Sequence, residues 1–238
     1  MCEHYIARAS EPFRLDELWS FTDRLERYGI AGFGWGAAWL TSDRKLSSYR
    51  DLRAFRDDPG REVLGATETT AALVHLRRPS KLSTLGMADT QPFDDPAGRF
   101  SFSHNGDLRD IRTWRARYRS EGRIHGRADT EVGARWLEDA WPTADDPSRL
   151  LTVLHETFGG QANLSVLAAD GSACAYAGNT ENPVFAFRLG RIGIVSTGIY
   201  SIDRSVFRFV APGATDRRLV RIGASVTLAR NGEASQAS

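Results

Sequence analysis

Seven short segments with apolar residues at alternate positions follow one another between residues 163 and 229, and they constrain the fold more than any other feature. A period of two is typical of β-strands with one buried face. The segments are 163–168, 172–177, 184–189, 192–196, 206–210, 218–222 and 225–229. Turn residues at 170–171, 190–191 and 223–224 predict hairpins between pairs of them. We therefore expect mostly antiparallel sheet in this region.

The residues before this region predict strands first and helices second. Strands are predicted at 2–8, 32–40, 45–49, 70–76 and 100–104, with an amphipathic helix at 13–27 between the first two. Helices are predicted at 108–120, 130–141 and 147–158. Strands, helices and strands again indicate a layered α+β fold. No linker interrupts the pattern, which predicts a single domain over residues 2–230 and a disordered tail over 231–238.

The charge balance argues against polyanionic partners. Lys and Arg number 31 against 30 Asp and Glu, so the net charge is +1. Arginines are dense between residues 109 and 127, where an RNA patch or a partner-docking face is an alternative to a solvated helix face. The solvated face is the simpler interpretation, and we expect no nucleic-acid partner.

No apolar run approaches the ~20 residues of a membrane span, and no secretory signal begins the sequence. These features predict a cytoplasmic protein without membrane association. The two cysteines and five histidines lack metal-binding spacing, so we expect neither a metal site nor a cofactor.

Cys2 directly follows the initiator methionine and becomes the first residue if Met1 is removed. Its α-amine would then be able to accept the proton of its own thiol near neutral pH. A small buried hydrophobe at an arbitrary position is the alternative reading of this cysteine. His4, on the same face of the predicted strand, is an alternative base, although the α-amine is the better candidate.

Three further motifs carry groups that are useful at a catalytic site. Arg77 follows a buried-type strand and can hold a carboxylate in a bidentate pair, or is simply a surface arginine. Asn105 and Gly106 can direct a side-chain amide and a backbone N–H at an oxyanion, or form an ordinary turn. Asp129 begins a predicted helix and can bind an ammonium group or cap the helix.

The order of these motifs resembles that of the class II glutamine amidotransferases, a family of N-terminal-nucleophile hydrolases. The matching segments are Cys2, His75-x-Arg77, Asn105-Gly106 and residues 129–131, with a glycine-rich strand at 32–40 that is also similar. The resemblance implies a four-layer αββα sandwich, with Cys2 as nucleophile and an oxyanion hole formed by Asn105 and Gly106. It further implies that Arg77 binds the substrate carboxylate and Asp129 the substrate amino group.

By this resemblance the chain cleaves the side-chain amide of glutamine or of a γ-glutamyl compound and releases glutamate with ammonia or an amine. A synthetase partner that accepts ammonia is compatible with it, as is a homo-oligomer. One alternative is a stand-alone γ-glutamyl amidohydrolase of the ergothioneine-pathway type. Another is a non-catalytic subunit that binds glutamine.

The sequence departs from the usual family pattern at several positions. Phe33 stands where the family often has Asp, and Ala128 where it has Ser. Glu3 follows the nucleophile where synthetase-linked members usually have Gly, and Arg78-Pro79 replaces an aromatic-small pair. These departures leave the catalytic motifs in place, and the family pattern alone does not specify the substrate.

Overall fold

A computed structural model describes residues 2–79, 81–199 and 204–236, and in that part of the chain two β-sheets pack between helices. The strands are β1 (Glu3–Arg14), β2 (Trp35–Leu40), β3 (Leu46–Asp51), β4 (Glu68–Leu76), β5 (Phe93–Asp94), β6 (Phe100–Leu108), β7 (Gly160–Ala168), β8 (Ala173–Tyr176), β9 (Val184–Leu189), β10 (Ile192–Thr197), β11 (Ala214–Leu219), β12 (Ser225–Leu228) and β13 (Ala234–Gln236). The α-helices are α1 (Trp19–Gly29), α2 (Gly60–Gly65), α3 (Arg112–Ser120), α4 (Asp129–Ala140), α5 (Pro147–Phe158) and α6 (Phe207–Val210).

The first sheet has seven strands in the order β11-β9-β10-β1-β4-β2-β3, and the second has six in the order β13-β12-β8-β7-β6-β5. Every strand pair is antiparallel. One apolar cluster joins α1 and α6 to the outer face of the first sheet. A second cluster joins α3, α4 and α5 to the outer face of the second sheet, and a third lies between the sheets. The layers are therefore αββα, and the expected fold class is confirmed.

Helix α5 begins and ends where the sequence predicts. Asp146 accepts a hydrogen bond from the Ser148 amide at 2.8 Å, which satisfies one of the free N–H groups of the first turn. Pro147 occupies that turn, and Gly159, at φ +62°, ends the helix.

Four elements differ from the sequence prediction. The helix predicted at 13–27 is shorter, because β1 continues to Arg14 and a 3-10 turn precedes α1. Residues 206–210 form a 3-10 turn and helix α6 instead of a strand. The turn at 223–224 links β11 of the first sheet to β12 of the second and is not a hairpin. Residues 234–236 of the predicted disordered tail pair with β12, whereas residues 237–238 lie outside the described part.

The arginine-rich segment is partly neutralised by acidic neighbours. Arg117 pairs with Glu121 at 2.9 Å and Asp139 at 3.2 Å, and Arg123 pairs with Glu138 at 2.8 Å. These contacts fit a solvated helix face. None of the described helices is long and apolar enough to cross a membrane.

Candidate active site

The five residues singled out in the sequence come together at one end of the sandwich. In the β1–β4 ladder Glu3 lies opposite Leu76, which places Cys2 and Arg77 side by side just beyond the last pair. Strand β6 brings Asn105 and Gly106 from the second sheet, and α4 begins at Asp129. Cys2, Arg77, Gly106 and Asp129 line one cleft of about 80 Å³. Asn105 reaches the same place by donating a hydrogen bond from Nδ2 to the carbonyl oxygen of Cys2.

The Cys2 thiol is partly buried and contacts the backbone of Arg78. The Arg78 amide donates to Cys2 Sγ at 3.4 Å, and Sγ lies 3.7 Å from the Arg78 carbonyl oxygen. Burial raises the pKa of the Cys2 thiol, while the Arg78 amide and the Arg77 charge act in the opposite direction. The thiol therefore needs a nearby base to become a nucleophile at neutral pH.

His4 is not placed to be that base. Its ring contacts the hydroxyls of Ser103 at 3.4 Å and Ser165 at 3.2 Å, both on the second sheet. Burial lowers the pKa of His4 to about 3, so the imidazole is neutral but very weakly basic. His75 is also buried and contacts Ser103 at 2.6 Å, consistent with a structural role.

Asn105 does not lie in a turn, because β6 runs straight through it to Leu108. Gly106 adopts φ +115°, and a Cβ there would meet the Gln161 carbonyl oxygen at 1.7 Å. Only glycine lets β6 and β7 approach so closely at this point. Asn105 and Gly106 thus lie within strand β6 and not in a turn.

Two asparagines that the sequence analysis did not identify hold Asn105 in place, and a third contacts one of them. Asn163 Nδ2 donates to Asn105 Oδ1 at 3.2 Å, and Asn179 Nδ2 does so at 3.4 Å. Asn163 Nδ2 also donates to the Asn182 carbonyl oxygen at 2.7 Å. Because Oδ1 accepts from two amides, the Nδ2 of Asn105 must face Cys2.

Glu3, the departure next to Cys2, is fully buried and belongs to the same polar network. Asn182 Nδ2 donates to both of its carboxylate oxygens at 3.2 Å, and the Thr197 hydroxyl also donates to it. Polar residues at 178–182 are the only sequence signal for this network, and they are equally typical of a loop.

Asp129 anchors the start of α4 to the end of β6. Its Oδ2 accepts a hydrogen bond from the Leu108 amide at 2.7 Å and its Oδ1 accepts from the Thr130 amide at 3.0 Å. The side chain remains 26% exposed toward the cleft, so its carboxylate is accessible to a cation. Helix capping alone does not account for it, since the N-cap residue is Ala128.

The Arg77 side chain holds the segment 81–90 over the cleft. Its Nη1 donates to the Gly86 carbonyl oxygen at 3.2 Å and to the Thr90 hydroxyl at 2.8 Å, and its Nη2 donates to the Thr84 carbonyl oxygen. Asp89 secures the same segment by accepting from the Arg127 and Ala128 amides at 2.6 Å. At about 80 Å³ the cleft holds only a few water molecules in this conformation.

Within the described residues no cluster of histidine, cysteine or acidic side chains could hold a metal ion. The N–H groups of Asn105 and Arg77 that remain beyond these hydrogen bonds, together with the Asp129 carboxylate, instead suit an organic substrate that carries both charges.

The fold of this chain recurs in solved structures, among them an amidotransferase. The chain superimposes on the glutamine phosphoribosylpyrophosphate amidotransferase from B. subtilis with a TM-score of 0.75 and 16% identity, covering 99% of this chain and 49% of that one. The allosteric regulatory enzyme of purine biosynthesis gives the same TM-score of 0.75 and 16% identity, with 99% and 48% covered. The chain thus spans about half the length of these two proteins.

A third structure matches over nearly its whole length. It is a glutamine aminotransferase class-II domain protein from Silicibacter pomeroyi, with a TM-score of 0.62, 16% identity and 98% of both chains covered. No protein-family model matches the sequence, and no curated protein matches it significantly. The shared αββα architecture confirms the fold that the motif resemblance predicts.

Proposed function

We propose that this chain hydrolyses the side-chain amide of glutamine, or of a γ-glutamyl compound, with Cys2 as the nucleophile. One observation carries the proposal. Cys2, Asn105, Gly106, Arg77 and Asp129 come from four separate elements and meet at one cleft of an amidotransferase fold.

The reaction begins when removal of Met1 exposes the α-amine of Cys2. This amine takes the thiol proton, and Sγ attacks the side-chain amide carbon to form a tetrahedral oxyanion. Asn105 Nδ2 and the Gly106 N–H stabilise the oxyanion; loss of one such donor costs ~10²–10³ in rate. The amide nitrogen receives the proton and leaves as ammonia or an amine, which gives a thioester. Water then attacks the thioester, releases glutamate and restores the thiol.

Arg77 and Asp129 recognise the amino-acid end of the substrate. The guanidinium binds the α-carboxylate with donors that the segment 81–90 does not use, and the Asp129 carboxylate binds the α-ammonium. Because the cleft, at about 80 Å³, is smaller than a glutamine molecule, segment 81–90 shifts to admit the substrate.

The test is an intact mass spectrum before and after incubation with a diazo-ketone analogue of glutamine. The wild-type protein is expected to lack Met1 and to gain one adduct that maps to Cys2. The variant Cys174→Ser is the matched control, because Cys174 is buried in β8 and far from the cleft in sequence and fold. It should take the same adduct, whereas Cys2→Ala should take none.

Glutamate release provides the second readout. Cys2→Ala should lose at least ~10²-fold in kcat with an unchanged thermal midpoint. A loss of less than tenfold, or a retained Met1 without any adduct, would contradict the proposal. Comparing kcat/KM for glutamine with that for γ-glutamyl-cysteine conjugates identifies the substrate class.

A further inference from the structure

A second cavity, of about 580 Å³, opens at the other end of the sandwich. Arg8 projects into it from β1, six residues and roughly 20 Å along the strand from Cys2. Arg44 lines it from the β2–β3 turn and Arg230 from the segment after β12. Three cations from three separate elements therefore face one concave space.

Among the described residues these arginines form no close ion pair. In the described part of the chain, none of the three has a carboxylate within 4.0 Å, whereas Arg53 and Arg99 pair with carboxylates at 2.7 and 2.6 Å. Burial lowers the pKa of Arg8, the nearby Asp170 carboxylate raises it, and the positive charges of Arg230 and Arg44 act in the same direction as burial. The charge of Asp170 thus offsets the repulsion among the three arginines only in part.

Hydrogen bonds to backbone carbonyls fix two of the guanidinium groups. Arg8 Nη1 donates to the Leu228 carbonyl oxygen at 2.9 Å, and Arg44 Nη2 donates to the Asp170 carbonyl oxygen at 2.8 Å. Each hydrogen bond connects the side of the first sheet to that of the second. The other N–H groups of each guanidinium remain available to a ligand.

Hydrogen bonds within the turn that carries Arg44 hold its two ends together. The Thr41 hydroxyl donates to the Lys45 carbonyl oxygen at 2.9 Å and accepts from the Lys45 amide at 3.0 Å. Arg44 adopts φ +59°, a left-handed conformation that residues with side chains rarely adopt. The backbone therefore presents Arg44 to the cavity before any ligand is present.

Two acidic residues, Glu68 and Asp170, also line the cavity, so its five charged side chains carry a net charge of +1. Asp170 Oδ1 already accepts a hydrogen bond from the Ser172 amide at 2.7 Å. Leu40 and Pro12 supply an apolar wall. The volume falls within the range of about 300–1,000 Å³ that is typical of small-molecule sites.

We propose that this cavity binds a small phosphate-bearing anion. A tetrahedral phosphate offers oxygens in several directions and can accept from three arginines at once, whereas a flat carboxylate is matched by one guanidinium fork. The apolar wall of Leu40 and Pro12 accommodates the carbon skeleton of a phosphate ester. The site lies apart from Cys2, and its occupancy does not depend on the activity proposed above.

The test uses inorganic phosphate, pyrophosphate and ribose 5-phosphate as probes, at constant ionic strength, by calorimetric titration and thermal unfolding. A saturable binding isotherm is expected, with a rise in thermal midpoint of about 5 °C at a hundredfold excess over Kd. Ester binding at least tenfold tighter than phosphate identifies a phosphorylated metabolite as the occupant. Equal affinities identify the inorganic anion.

Arg44→Gln and Arg230→Gln are the informative variants, because both residues are exposed and neither forms part of the core. Each should weaken binding at least tenfold. Arg112→Gln is the matched control, since Arg112 is an exposed arginine on α3 outside the cavity. Absence of binding to the wild type at millimolar probe, or an equal effect of all three variants, would overturn the proposal.

Discussion

The orientation of a single amide decides whether an oxyanion hole can exist at the candidate site. Asn105 Oδ1 accepts from Asn163 and Asn179, and this leaves Nδ2 as the group that faces Cys2. An amide without these partners can turn its oxygen toward the cleft, where it would repel a developing negative charge. Under the proposed function, Asn163 is therefore a positioning residue that acts through Asn105.

We predict that Asn163→Ala lowers kcat for glutamine hydrolysis by roughly 10- to 100-fold. The loss is smaller than for a missing oxyanion donor, because Asn179 still holds the amide in part. KM should change by less than about threefold, since Asn163 contacts neither of the groups proposed to bind the substrate ends. Steady-state kinetics well below the thermal midpoint provide the measurement.

Gln161→Ala serves as the control for that variant. Gln161 lies two residues earlier on β7, and its side chain contacts Thr180 at 2.9 and 3.0 Å but not Asn105. An equal loss of kcat in both variants would show that β7 was perturbed as a whole and would remove the positioning role.

At the scale of the element, β6 depends on a glycine in its interior. We predict that Gly106→Ala destabilises the fold by about 3 kcal/mol or more, because a positive φ and a collision with the Gln161 carbonyl oxygen add together. Urea unfolding measures the effect. Gly98→Ala is the matched control, since Gly98 also has a positive φ of +71° but nothing within 4 Å of its added Cβ.

Gly98→Ala should lower the free energy of unfolding by only about 1 kcal/mol, because the positive φ is the only unfavourable feature of alanine there. Similar values for the two variants would mean that β6 and β7 separate easily at this point. The close approach would then have no special structural role.

The elements also show where sequence patterns succeed and fail. Helix α5 was predictable to the residue, because Asp146, Pro147 and Gly159 each mark a boundary by local chemistry. The segment 206–210 was not, since five residues with alternating apolar character fit a strand as well as a short helix. In the fold Phe207 and Val210 are buried and Phe209 is 64% exposed, a helical spacing set by packing on the first sheet.

The sequence motifs predict the residues that line the candidate cleft, but not the asparagines that hold Asn105 in place. Cys2, Arg77, Asn105, Gly106 and Asp129 lie in ordered motifs, and the structure brings them to one cleft. The asparagines that orient Asn105 are distant in sequence, with 58 positions separating Asn163 from it. Their contacts arise only from the pairing of β6 with β7 and the placement of the loop at 178–182.

Across the whole molecule, the space between the sheets changes character along its length. Near Cys2 it is polar, with His4, His75, Ser103 and Ser165 all buried. Farther along it becomes an apolar cluster. Burial lowers the pKa of His4 to about 3 and also lowers the pKa of His75 and His104. The folded chain thus keeps three imidazoles neutral.

We predict that acid destabilises the fold over a wide range below neutrality. The unfolded chain protonates these imidazoles as the pH falls through about 6.5, whereas the folded chain does not, so unfolding takes up protons. The free energy of unfolding should therefore have its full value above about pH 6.5 and should decrease as the pH falls toward 3. Urea unfolding at about one-unit steps between pH 7.5 and 4.5 measures the slope.

A free energy of unfolding that is constant across the same steps would show that the buried imidazoles take up protons without unfolding. The polar layer would then be open to solvent.

The central position of β1 has a practical consequence for anyone who wishes to handle this protein. The strand is flanked by β4 and β10, and its first residue follows directly on the cleft that Cys2 lines. A purification tag fused ahead of Cys2 would emerge in the cleft and occupy it. A tag placed beyond β13, at the edge of the six-stranded sheet, would not. A cleavable fusion ahead of Cys2 therefore blocks the cleft, and its proteolytic removal unblocks the cleft at a chosen time.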